Sequence, residues 1–472
     1  MSQRRETRSP HLRRGRAGVI TTSAPLAARF PRTLDRRGFL AGSLALATTP
    51  ALGQVPASGV VDVAIVGAGA AGIAAARRLA AAGKRFALLE ASDRVGGRCI
   101  TDTKLFGVAY DRGAHWIPLS AMNPVTMLGA LGELDIYRAP AGERLRVGGR
   151  EAEAAEIERL SEAQQRADRA ISDAAEGDVD LPASQALPRD LGDLGPLVEF
   201  LLGAYSCAKD LADVSTVDFA NSEEREREYF CRQGFGTVLE RSAQGLPVQL
   251  STPVTEIDYS GRSSVALKTA NGALRAQAVV VTPSLGVLGA DILKFRPRLP
   301  LRHLEAVQKL TLGSYEHIAL EIPGNPLGLG SDDVVYEKAT TNRTAALVGN
   351  VSGTSLCLID VGGSFGRGLA AQGEAAMIEF GIGWLADLFG NSVKTAVKRR
   401  HATQWGREPW VRGSYSCASP GSQPARGVLT ESINDRIWFA GEALHETLWG
   451  TVAGAWESGE RVADAVVKRL AA

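Results

Sequence analysis

The chain has 472 residues, 45% hydrophobic and 22% charged, with a mean hydropathy of −0.04. That length suits two or three domains around a large core, and the balance excludes a disordered polymer, a collagen-like fibre and a multi-span membrane protein. The net charge of +1 averages a basic start and an acidic remainder: residues 1–37 hold ten arginines and two acids, and without them a nucleic-acid partner loses its electrostatic basis. The 52 glycines fall in short clusters rather than in one low-complexity tract, a pattern of backbone-contact sites.

The first feature along the chain is Arg36-Arg37, followed by a mildly apolar run from Phe39 to Ala47 and the breakers Thr48, Thr49 and Pro50. Paired arginines before such a run resemble a twin-arginine export signal, with Ala51-Leu52-Gly53 as a small-residue cleavage segment. The run is far short of the roughly 20 apolar residues of a membrane span, so no stable membrane anchor is expected. Residues 1–53 are read as a leader, and the remainder is expected in the periplasm. Cys99, Cys207, Cys231, Cys357 and Cys417 are scattered without CxxC spacing. Their odd number and spacing indicate neither a disulfide framework nor a zinc site, and no metal is expected.

Val60 to Val66 reads as a buried strand, apolar and β-branched apart from Asp62. It runs into Gly67-Ala68-Gly69-Ala70-Ala71-Gly72. The alanine-rich stretch Ile73 to Ala82 reads as a helix ended by Gly83-Lys84, and Phe86 to Leu89 as a second strand leading to Glu90. Strand, GxGxxG, helix, strand and acid within about 30 residues form the dinucleotide-binding fingerprint. Gly67 permits the tight turn, Gly69 lets the backbone approach a pyrophosphate, and Gly72 allows close helix–strand packing. The helix N-terminus offers unpaired N–H groups and a positive dipole end to phosphate. Glu90 is expected to accept hydrogen bonds from an adenosine ribose and to repel a 2′-phosphate.

That fingerprint does not separate NAD from FAD, but the following residues do. Arg94-Val95-Gly96-Gly97-Arg98 comes almost directly after Glu90, and from here the sequence resembles the FAD-dependent amine oxidase family, which includes monoamine and polyamine oxidases, L-amino-acid oxidases and lysine-specific histone demethylases. Further segments carry the resemblance to the C-terminus: Asp111-Arg112-Gly113-Ala114-His115-Trp116, Gln233 to Thr237, Val254 to Ile257, Pro283 to Leu288, Trp405 with Pro409 to Tyr415, Ile437 to Ala443, and Gly450 to Gly459. The resemblance implies FAD as cofactor. It places Ala71, Ala91 and Gly97 at the dinucleotide, Arg98 as a charged fork for phosphate oxygens, and the backbone of Val254 at the adenine. Gly113, Ala114, His115 and Trp116 lie against the flavin ring, while Gly441-Glu442 and Thr451-Val452 hold the ribityl chain and the N1–C2 edge.

The same resemblance implies a reaction in which a hydride equivalent leaves the carbon beside an amine nitrogen for flavin N5 and the imine hydrolyses. Tyr415 matches one wall of an aromatic cage before the flavin, with Trp405 nearby. Ala455 stands where monoamine oxidases have the second aromatic wall, so the pocket is expected to be open there. His317 occupies the position of the family's lysine. Near its ordinary pKa a histidine need not be charged, so reduced reactivity with oxygen is expected, with oxygen or a periplasmic electron carrier as acceptor. Ser414 stands where covalently flavinylated members have cysteine, which implies non-covalent FAD. Pro118 replaces an acid of plant-type polyamine oxidases. His115 reads as a supporting residue rather than a base, and the acidic runs Glu151 to Glu176 and Glu223 to Glu228 as solvated helices.

The fold implied is α/β: a Rossmann-like FAD-binding lobe of the glutathione-reductase type from residues 58–115, 230–290 and 400–472, plus an α+β substrate-binding lobe from 116–229 and 291–399. The expected partner is a small-molecule amine, and a homodimer is compatible with the sequence. Carotenoid-type desaturases or isomerases share the nucleotide motifs, and a flavoprotein with structural FAD and a binding role is a further alternative.

Overall fold

The strand Val60–Val66 (β1), buried or half-buried after the exposed Val60, meets the helix Ala70–Ala81 (α1) and the strand Phe86–Leu89 (β2) in the expected order. The computed structural model describes residues 60–118, 133–139, 143–222 and 227–472, all within the unit spanning 52–472. The expected leader, residues 1–53, lies outside the described residues. Asp62 interrupts β1 for a local reason: its carboxylate accepts hydrogen bonds from the Arg85 amide and guanidinium, each at 3.0 Å. The turn into α1 needs Gly67, whose φ of +103° is unfavourable for any side chain and whose Cβ would lie 2.4 Å from Thr282 Oγ1.

An eight-stranded sheet is built around this unit. β1 pairs in parallel with β2 on one side and with the long strand Gly272–Val281 (β3) on the other. Val248–Gln249 extends the parallel edge beyond β2, and Ile437–Phe439 pairs in parallel with the end of β3. The antiparallel strands Val265–Thr269 and Val254–Asp258 then continue the sheet to Lys294–Arg296. β2, the buried part of β1 and the last four residues of β3 are near-continuous apolar runs because both faces are covered there. One face packs on α1 and the C-terminal helix Val452–Ala471, and the other on residues such as Leu285, Leu310, Leu429 and Phe439.

A seven-stranded sheet has the order Arg400–Ala402, Tyr315–Glu321 (β4), Leu356–Gly362 (β5), Ala346–Gly349, Asp333–Glu337, Glu143–Val147 and Arg150–Glu151. β4 and β5 are antiparallel and directly opposed, with His317 paired to Asp360. The helix Glu374–Phe389 covers one face through Met377, Trp384 and Leu385. The acidic run after Glu151 is a helix, Ala154–Ala175, opened by a Glu153/Glu156 capping box. Its buried stripe, Leu160, Ala163, Ala167 and Ile171, follows the helical period, so it is solvated on one side only. The second acidic run departs from expectation. Residues 227–231 form a strand paired with Ile117–Pro118 and Ile136–Arg138, and residues 223–226 lie outside the described residues. No described helix is long and apolar enough to cross a membrane. All five cysteines are buried free thiols.

Candidate active site

The loop between β1 and α1, the segment after β2 and the C-terminal helix converge on one cavity of about 640 Å³, within the usual range for small-molecule sites. At one end stands Glu90, 7% exposed. Its carboxylate accepts from the Ala68 amide at 2.7 Å, the Ser92 amide at 2.9 Å and the Ser92 hydroxyl at 2.7 Å. The glycine loop and the acid are therefore one hydrogen-bonded unit. No side chain caps the N-terminus of α1 and no acid sits in its first turn, so its amide end is left to serve an anion.

Arg98 and Glu442 form an ion pair at 2.9 Å along the cavity. Burial pushes the Glu442 carboxyl up, yet the charge of Arg98, the hydrogen bonds from Ser416 and Arg98, and nearby Arg426 hold it below the usual carboxylate range. The fork of Arg98, expected to face phosphate oxygens, also donates from the same Nη1 to the Ser414 carbonyl at 2.5 Å, so part of it is spent within the protein.

At the other end the wall is aromatic. Tyr415 and Tyr315 border the cavity with ring centroids 6.0 Å apart, and Trp116 and Ala455 border it as well. Ala455 contributes only a methyl group to the lining. Tyr315, which sequence reasoning did not single out, supplies an aromatic face beside Tyr415. Trp405 donates from Nε1 to the Arg112 carbonyl at 2.9 Å and lies against Gly113, where a Cβ would be 2.9 Å from its Cζ2. Burial lifts the Glu316 carboxyl, opposed by the Trp405 amide and the Thr403 hydroxyl that donate to it.

His317 corrects an expectation. It is 5% exposed; Nδ1–H donates to Asp360 Oδ1 at 2.6 Å and Nε2–H donates to the Gly113 carbonyl at 2.8 Å. Both ring nitrogens therefore have an oxygen partner within the protein. Burial alone would lower its pKa, but the charge and hydrogen bond of Asp360 and the Gly113 carbonyl raise it above the ordinary histidine value. The ring expected near its ordinary pKa is shifted toward its charged form by these partners. His115 behaves as a supporting residue: Nδ1 meets Asp111 at 3.0 Å, the ring packs on Phe230 with centroids 4.4 Å apart, and Nε2 is buried without a partner.

Of the residues singled out from sequence, Gly67, Gly69, Ala71, Glu90, Ala91, Gly97, Arg98, Gly113, Ala114, His115, Trp116, Val254, His317, Trp405, Tyr415, Gly441, Glu442, Thr451 and Val452 all line this cavity. Gly72 does not. A Cβ there would be 1.9 Å from the Gly67 carbonyl, so it serves the close packing of loop and helix. The donor set fits a flavin dinucleotide: a capless helix end, an acid tied to the glycine loop, and a buried Ser414 hydroxyl on the cavity wall that has no partner within the protein. Among the described residues no cluster of three or more His, Cys, Asp or Glu could hold a metal ion.

The model of the flavin-containing amine oxidoreductase family matches residues 70–140 and 134–467, and the chain belongs to that family. Curated relatives include the lysine-specific histone demethylase 1B of Mus musculus, 28% identical over 441 residues that cover 86% of this chain and 52% of that protein. Polyamine oxidase 4 of Oryza sativa subsp. japonica is 25% identical over 470 residues, covering 93% of this chain and 94% of the relative. The chain spans about half the length of the demethylases it matches. Among solved structures, the cyclohexylamine oxidase of Brevibacterium oxydans superposes with a TM-score of 0.74 at 21% identity, covering 88% of this chain and 100% of that one. A putrescine oxidase bound to putrescine gives 0.72 at 19% identity, covering 87% and 99%. The fold is thus mixed α/β of the amine-oxidase type.

Proposed function

We propose that the protein binds FAD non-covalently and oxidatively deaminates a small amine. The observation that carries this reading is the continuous cavity from Glu90 and the end of α1 to Tyr415, Tyr315 and His317. Relatives named for histone lysine and polyamines, and solved structures named for putrescine and cyclohexylamine, support an amine as substrate. When bound, FAD supplies the two-electron acceptor for the C–H bond that breaks beside nitrogen. Glu90 and the amides at the start of α1 hold the dinucleotide, and the wall of Tyr415, Tyr315 and Trp116 keeps water from the reacting carbon. An apolar wall also disfavours the ammonium, so the amine is held neutral without a protein base. The test is anaerobic flavin bleaching by monoamines, polyamines, amino acids and cyclic amines. Bleaching by one class is expected; none by any class, with FAD bound, overturns the reading.

Finer features belong to the same proposal. The unit of β1, α1 and β2 is Rossmann-like, of the glutathione-reductase type. The two lobes follow the two sheets, which assigns Lys294–Arg296 to the FAD lobe and Arg400–Ala402 to the substrate lobe. Ser414 and the buried, off-register Cys417 favour non-covalent FAD, so acid precipitation should leave the yellow colour in solution.

An electron carrier rather than oxygen is the proposed acceptor. Both ring nitrogens of His317 are engaged within the protein, by Asp360 and the Gly113 carbonyl. His317→Lys is expected to raise the rate of flavin reoxidation by oxygen, and an unchanged rate counts against this choice. Export rests on Arg36-Arg37: substituting both by lysine should leave the protein in the cytoplasm of a bacterial host with a twin-arginine system.

A further inference from the structure

β4 alternates its side chains so that Tyr315 and His317 share one face, and β5 sets Asp360 directly opposite His317. Asp360 is 1% exposed, and it divides its two oxygens: Oδ1 accepts from His317 at 2.6 Å, and Oδ2 accepts from the Tyr315 hydroxyl at 2.8 Å. His317 passes its other N–H to the Gly113 carbonyl, and the Tyr315 and His317 rings meet edge to face at 5.6 Å. The backbone of His317 is fixed independently, because its amide donates to Thr403 Oγ1 at 2.9 Å and its carbonyl accepts from the Thr403 amide at 3.0 Å. A second carboxylate, Glu316, lies next in the strand but is turned onto Thr403 and the Trp405 amide. Asp360 is therefore the carboxyl group bonded to the imidazole, and at 1% exposure it has no solvent to replace either partner.

We propose that Asp360 is a positioning residue for the reaction: it holds His317 doubly protonated against the Gly113 carbonyl and fixes Tyr315 in the aromatic wall beside Tyr415. One buried carboxylate thus sets both the 113–116 backbone segment and the amine-facing ring. His317 on this account is a fixed cation and not an acid–base group. The inference rests on the amine-oxidation reading only for what the wall faces; its primary test involves no substrate.

That test is long-range proton–nitrogen NMR of the ¹⁵N-histidine-labelled holoprotein, with the His317 signals identified by their loss in His317→Gln. The expected result is two protonated ring nitrogens on His317 throughout pH 6 to 8. An unprotonated ring nitrogen at pH 7 in the wild type overturns the proposal, so the result does not depend on any variant folding. In Asp360→Asn the charged partner is gone and the His317 pKa should fall by about 1 to 3 on the pH scale, giving an unprotonated nitrogen near neutrality. An unchanged spectrum in a folded Asp360→Asn protein also overturns it. Tyr315→Phe, which removes only the hydroxyl bond, should leave His317 doubly protonated. The rate of amine-driven bleaching in Asp360→Asn should gain an ionisation near neutral pH that the wild type lacks, which a merely structural carboxylate would not produce.

Discussion

Glu90 is engaged by three donors of its own chain, Ala68 N–H and the two groups of Ser92. Glu90→Gln leaves one acceptor oxygen and turns an amide N–H₂ toward donors, so at least one buried donor loses its partner. The expected cost is about 1–3 kcal/mol of stability. It should appear as a lower denaturation midpoint of the flavin-free protein and, because the glycine loop is tied to this acid, as weaker FAD binding by fluorescence titration. A lower affinity with an unchanged midpoint would mean that the carboxylate serves the ligand alone. Glu90 and its loop were legible in the sequence because their relations are local, within 22 residues. Asp360 was not: it lies 43 residues from His317, and only the register of β4 against β5 brings them together. Tyr315 was hidden for the same reason, since the pairing of strands decides which face of β4 meets the cavity. The upward shift of the His317 pKa likewise depends on partners from two distant segments, which its residue type alone does not show.

The helix Ala70–Ala81 and the helix Val452–Ala471 approach so closely that a Cβ on Gly459 would stand 2.1 Å from the Ala71 carbonyl. The small side chain of Ala71 serves this approach as well as the nucleotide loop. Gly459→Ala is expected to destabilise by about 1–3 kcal/mol, because backbone must shift. Gly383, in the helix Glu374–Phe389, has open space at its Cβ and no positive φ. Gly383→Ala should therefore stabilise by about 0.4–1 kcal/mol. Chemical denaturation of both variants gives opposite signs if close packing decides, and equal signs if helix propensity does. β1 and β2 were placed from sequence at their observed bounds, since apolar strands flanked by glycine and an acid are punctuated at both ends. α1 begins at Ala70, earlier than the reading from Ile73, because the helix starts inside the glycine motif. β5, Leu356–Gly362, is buried along its whole length and carries no alternation. Such a run cannot be told from a buried helix by periodicity, and this kept the second sheet out of view. The charge of the run Glu223 to Glu228 suggests a solvated helix, whereas pairing on both sides puts its last two residues in the strand Arg227–Cys231.

Across the molecule, a buried chain of charges joins segments far apart in sequence. Glu442 binds Arg98, the Ser416 amide and hydroxyl, and the Gly450 amide; Ser416 in turn accepts from Arg426, whose guanidinium grips the fully buried Asp218. Removing one partner of a pair like Arg426–Asp218 costs about 3–5 kcal/mol, since the other charge is left buried. Two titrating members of the cavity, Glu442 and His317, pull stability in opposite directions with pH. Glu442 is held below its ordinary value, so its contribution is present above an unfolded pKa of about 4.3 and is lost as pH falls through the folded value. His317 is held above its ordinary value, so its contribution is complete below about 6.5 and is lost as pH rises through the folded value. Stability should therefore be greatest between these limits. Exposed acids with lowered pKa, such as Glu156, brought to about 2 by the Arg150 hydrogen bond, add little because solvent screens them. Denaturant midpoints measured from pH 2 to 9 test the assignment. Glu442→Gln should lower the neutral midpoint and flatten the acid side of the profile. His317→Gln, which keeps a donor for the Gly113 carbonyl, should flatten the alkaline side and leave the acid side in place. If both variants change the same limb, the opposed titrations of these two groups do not shape the stability of the fold.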